Sequence, residues 1–150
     1  MGSISNGIAI GGSNSVLGGS AAPLVRQSIT FANTTGTVNV FTVTGDAIVR
    51  IIPICKTSLT SAGACNAELG VTGTVAAMIA ATDVTTIDAD EIWHDATSDS
   101  DVEAESVSRD YIISGGADVI MTLSAQIDAG VCAFYCHWVG LSTDANVVAA

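Results

Sequence analysis

The chain has 150 residues, 49% of them hydrophobic but only 5% aromatic, and fifteen acids against four Lys and Arg leave a net charge of −11. Nucleic-acid binding needs clustered cations that displace counterions, so Arg26, Arg50, Lys56 and Arg109, scattered along the sequence, argue against a DNA or RNA partner. No apolar run reaches the ~18–20 residues of a membrane helix, and the first residues lack the basic stretch and continuous apolar segment of a secretory signal, so neither a membrane partner nor export by that route is expected.

Residues 1–24, MGSISNGIAIGGSNSVLGGSAAPL, carry no charged side chain and are rich in Gly, Ser and Ala. They read as an extended arm in front of a single β domain over 25–150. Ile4, Ile8, Ile10, Val16 and Leu17 are apolar residues in an otherwise polar arm, with no core nearby to bury them. They are the expected partner-binding residues, because an unfolded arm that orders on binding wraps a wide surface.

Val25–Ala32 alternates as a strand, and Asn33-Thr34-Thr35-Gly36 reads as a turn. Val38–Thr44 follows, but its apolar phase slips at Val40-Phe41, which predicts a bulge. After a tight connection at Gly45-Asp46, Ala47–Lys56 is apolar on both faces. Arg50 shares a face with Ile48, Ile52 and Ile54 and needs a partner or an exit to water. Pro53 removes a ladder donor, so the strand is at an edge or bulges there. Ala67–Val71 is a strand, and residues 74–82 fit a helical turn or a strand. Thr85–Ile87 and Ile92–His94 are short strand candidates, and Ser106–Ser114, Val119–Ala125 and Val131–Leu141 are clearer ones. Gly115-Gly116-Ala117-Asp118 is a turn, and the tail Ser142–Ala150 either frays or pairs with a neighbouring subunit. About eight strands without a long helix predict an all-β jelly-roll-like sandwich, with an immunoglobulin-like sandwich as the alternative.

Nine acids fall between Asp83 and Glu105, and Asp99, Asp101, Glu103 and Glu105 alternate as if on one strand face. A solvated acidic loop is preferred to a calcium site, since the EF-hand spacing is missing. A zinc site from Cys132, Cys136 and His137 is rejected: in a strand the two cysteines lie about 13 Å apart on one face while the histidine points away. Four free thiols acting as small hydrophobes is the preferred reading of the cysteines, with a Cys55–Cys65 bridge as the alternative in an oxidising compartment. The chain has no G-x-S-x-G elbow, no H-E-x-x-H and no phosphate-binding loop, so no catalytic residue, metal or cofactor is expected. Trp93, Phe134, Tyr135 and Trp138 suit a core or a subunit interface better than a carbohydrate site.

Taken as an ordered set, FTVTGDAIVRIIPICKT, DADEIWHDATSDSDVEA, RDYIISGGADVIMTL and VCAFYCHWVGLSTDANV resemble small virion proteins of tailed bacteriophages, over residues 38 to 147. The resemblance implies a capsid-associated structural protein of the decoration or cement class, with a β-sandwich and a trimeric state. It carries no catalytic motif. The expected function is therefore a homotrimeric cement protein on the outer surface of the virion, bound to the major capsid protein, with the two-sided apolar strands facing neighbours. The alternative is a fibre, spike or other adhesive component.

Overall fold

A computed structural model describes residues 23–95 and 101–150, apart from the Glu105 side chain. Its strands are β1 (Leu24–Thr34), β2 (Thr37–Thr44), β3 (Ala47–Thr60), β4 (Asn66–Val71), β5 (Thr74–Asp83), β6 (Asp110–Ile113), β7 (Ala117–Leu123), β8 (Ile127–Gly140) and β9 (Asn146–Ala149). They form two antiparallel sheets, one ordered β1-β8-β3-β6 and the other β5-β4-β7-β2-β9. The first is the front sheet and the second the back sheet. No helix among the described residues is long and apolar enough to cross a membrane.

The pairings β1–β8, β2–β7, β3–β6 and β4–β5 show how the chain is wound. The chain is one long antiparallel ribbon with its tip between β4 and β5, rolled so that its rungs fall alternately in the two sheets. That is the jelly-roll arrangement. The immunoglobulin-like alternative is set aside, because its first two strands share a sheet and here β1 and β2 do not. β9 adds a ninth strand to the expected eight.

Period-2 alternation builds the core. On β3, Ala47, Val49, Ile51, Pro53 and Cys55 are buried and the residues between them are half-buried. On β8, Gly130, Cys132, Phe134 and Cys136 do the same. The phase slip in β2 is a register shift between Asn39 and Phe41, which turns both Val40 and Phe41 inward. Pro53 sits where β6 has already ended. Its carbonyl turns away from β8 and accepts from Trp93 N at 3.1 Å, so its missing N–H leaves the β8 ladder intact.

Several expectations change. Residues 74–82 are a strand, which fits the β-branched flanks. Thr85–Ile87 is not a strand: Val84–Thr86 is a 3-10 turn, started by the Asp83 carboxylate accepting from Thr85 N at 2.9 Å. Ser106–Ser114 shrinks to β6, preceded by another 3-10 turn at Glu105–Val107. Ile92–His94 forms only a bridge through Ile54 and Ile92. The alternating acids from Asp101 onward are therefore not on a strand face, and Asp99 lies outside the described residues. The tail neither frays nor leaves its subunit, since β9 pairs with β2 and the Gln27 side chain donates to the Ala150 carbonyl at 2.7 Å.

Two glycines are required by close approach. Val75 and the Thr74 carbonyl press on Gly70 where β5 curls over β4, and a Cβ there would collide with backbone. Gly130 combines φ +131 with a Cβ position only 2.6 Å from Leu59.

Phe134→Ala, which empties a fully buried site, is expected to lower unfolding free energy by about 3–5 kcal/mol in denaturant titration. Ile112→Ala, at an outward position 71% exposed, is expected to stay within about 0.5 kcal/mol.

Candidate functional site

The outer face of the front sheet is the most unusual surface among the described residues. Register places its side chains in rows across the strands. Val139, Ile48 and Ile112 form one, and Leu24, His137, Arg50 and Asp110 the next. Then come Arg26, Tyr135 and Ile52, followed by Ser28, Ala133, Ile54 and Ile92. The central isoleucines and Tyr135 are half-buried by their neighbours, whereas Leu24 is 39% and Ile112 71% exposed. Arg50 finds the partner that its position demanded: its Nε lies 2.7 Å from Asp110 Oδ1. Arg26 is exposed, and Lys56 stands exposed at the border in the bulge after Cys55. Three cations scattered in sequence are thus gathered on one face. The outer face of the back sheet differs: Thr37, Asn39, Thr42, Thr122, Glu68 and Asp118 lie there with Ile120 and Val148, and no cation joins them. Thr42 donates to the Asp118 carboxylate at 2.9 Å.

The acid-rich stretch is held to the free edge of β3, beyond the end of β6. Cys55 N donates to the Glu91 carbonyl, Leu59 N to that of Ile87, and Asp90 N to that of Cys55. Trp93 anchors the stretch in the core with no exposed surface. Its indole donates to the buried Thr82 hydroxyl at 2.9 Å, which in turn lies 2.8 Å from the Asp95 carbonyl. Asp83, Asp88, Asp90 and Asp95 stay exposed, as a solvated acidic segment would. The two Thr85 hydrogen bonds hold the Asp83 carboxyl below its ordinary pKa.

Beside Trp93 lies a cleft of about 370 Å³ lined by Met78, His94, Ser108, Arg109 and Tyr111 among others. His94 Nε2 is buried without a hydrogen-bond partner among the described residues and lies 3.8 Å from Glu103 Oε1. Ser108 donates to the Ile51 carbonyl and Tyr111 to the Met78 carbonyl, both at 2.9 Å. These two hydroxyls tie the cleft walls to the main chain.

All four cysteines are free and buried. Cys132 and Cys136 point inward while His137 points outward, as strand alternation demands. No group of three metal-ligating side chains comes together among the described residues. Burial pushes the Cys136 thiol up to about 12 and raises those of Cys132 and Cys55 as well. Trp93 and Phe134 are core, Trp138 packs against it, and Tyr135 faces out. The arm positions Ile4, Ile8, Ile10, Val16 and Leu17 lie outside the described residues. What sequence reading missed is that Arg26 joins the row of Tyr135 and Ile52. The signal was cross-strand register, which no single segment contains.

No family model and no curated protein matches the chain. A solved chain from the acidic stable capsid structure of Helicobacter pylori bacteriophage KHP30 is similar at 15% identity and a TM-score of 0.49, covering 83% of this chain and 92% of that one.

The thiols generate a pH prediction. With folded pKa values above the ordinary 9.0, the fold favours the protonated thiols. Their stabilising contribution is complete below pH 9 and is lost as pH rises toward 12. The melting temperature is expected to fall across that range, and to fall less steeply in Cys136→Ala. At pH 8 the native protein should resist an alkylating reagent that labels all four thiols in denaturant.

Proposed function

We propose that the protein is a non-enzymatic viral structural protein, a homotrimer that binds and stabilises a capsid shell as a decoration or cement protein on the virion's outer surface. Its N-terminal arm latches onto neighbouring capsid subunits. The observation that carries this reading is the apolar outer face of the front sheet, together with the point where the arm leaves it. A sheet face built of Ile48, Ile52, Ile54, Tyr135 and Val139 is the kind of apolar patch that marks a site of protein–protein contact.

The arm joins the sandwich beside that face. The Pro23 carbonyl accepts from Trp138 N at 3.3 Å, and Leu24 opens β1 opposite His137. There the Trp138 indole nitrogen and His137 Nδ1 are buried without a hydrogen-bond partner among the described residues. Contacts made by an arm and by a sheet face of the same subunit reinforce each other, and three tethered copies multiply the effect. In the free protein the acidic stretch lies in water, where its charge favours solubility. The resemblance of four ordered segments to small tailed-phage virion proteins points the same way.

A second reading, a fibre or spike component that binds a receptor, is favoured by the cleft beside Trp93, whose size suits a small ligand group.

Copy number separates the two. Quantifying the protein in purified particles should give a high count that matches the shell lattice; a low, tail-linked count overturns the cement reading. Deleting residues 1–22 removes the arm but leaves Pro23 and all of β1. The variant is expected to melt as the full chain does yet to bind particles about 10-fold more weakly or worse. Undiminished binding would remove the arm's role.

A further inference from the structure

We infer that the outer face of the front sheet receives a second copy of this chain, head to tail, and that the acidic edge over 88–91 of that copy docks on it. The inference deepens the trimeric part of the proposed function and rests on it. The chain has four Lys and Arg, and Arg26, Arg50 and Lys56 belong to this face or its border. Of the described acids only Asp110 lies among its rows, and it is paired with Arg50. Arg26 and Lys56 are both exposed. A chain of net charge −11 has thus concentrated its positive charge on its most apolar sheet face. An apolar surface that also carries cations fits a partner surface with carboxylates on it.

Two such faces cannot satisfy each other. Packing front sheet on front sheet about a two-fold axis would oppose Arg26 and Lys56 to their own copies, with few acids between them. Like charges brought together in an interface are strongly unfavourable. The complementary surface exists elsewhere on the same molecule. Asp88 and Asp90 are exposed along a segment tied to the lateral edge of β3. That edge lies to the side of the front face rather than behind it. A contact between a face and a lateral edge turns each copy relative to the last, and such a turn makes a ring when its rotation closes. The back sheet also carries Glu68 and Asp118, but it lies opposite the front face. Docking there would stack copies into an open filament.

The test uses the purified full chain, with assembly followed by sedimentation velocity and light scattering over a range of concentration and salt. The wild type should form a closed oligomer that weakens as salt screens the contact. Arg26→Glu with Lys56→Glu should raise the concentration of half-assembly at least tenfold. Asp88→Lys with Asp90→Lys should do the same. All four substitutions in one chain restore complementarity and should restore assembly. Circular dichroism and melting check that each variant is folded. Recovery in the fourfold variant is the result a merely structural effect would not produce. A wild type that stays monomeric throughout overturns the trimer itself. Assembly untouched by either charge pair overturns only the docking surface. If Ile112→Lys abolishes assembly while both charge pairs leave it intact, the copies pack face to face and the head-to-tail contact is wrong. Particle copy number is measured separately, so none of these outcomes decides the cement reading.

Discussion

The position of β8 between β1 and β3 is the constraint on which the rest of the molecule depends. β8 is paired along both of its sides, with β1 over Ile127–His137 and with β3 over Ala129–Gly140. Its inward residues Cys132, Phe134 and Cys136 must pack against the back sheet. Strand alternation then forces Ala133, Tyr135, His137 and Val139 to the other side. A slip of one residue would exchange the two sets and bury the histidine. The same registration carries β1 and β3, so the contents of the outer face follow from the packing of the core. Small thiols at Cys132 and Cys136 keep the interior free of ionised groups, and the bulk of Phe134 fills it.

Local alternation made much of this legible. The slip at Val40-Phe41 announced a bulge, because two adjacent apolar residues can share one face only if the backbone gains a residue. The two-sided apolar character of β3 and β8 marked central strands, and Pro53 marked an edge. The acidic stretch was misread, since Thr85–Ile87 and Ile92–His94 look like strand fragments in isolation. Asp83 instead starts a 3-10 turn, and the Trp93 side chain, seated on Thr82, sets the path that follows. A hydrogen bond between positions eleven apart leaves no periodic trace. The tail was undecided for a similar reason: four residues of β9 carry too little pattern to show that β2 has a free side.

The surface was less legible than the core. Each of Arg26, Arg50 and Lys56 is unremarkable in its own segment. They become a group only when β1 is laid against β8 and β8 against β3. The contrast between a greasy, cationic front and a threonine-rich, acidic back is therefore a property of the roll and not of any strand. It gives the protein a polarity that composition hides.

The row of Leu24, His137, Arg50 and Asp110 has one more consequence. Its members come from four strands that are far apart along the chain. Closing a long loop is entropically harder than closing a short one, so the hairpin at the tip of the ribbon is the easiest pairing to make and β1 against β8 the hardest. A chain caught midway through folding holds these four residues on separate pieces. The row is therefore complete only in a finished molecule, a mark of full winding that no fragment of the ribbon carries.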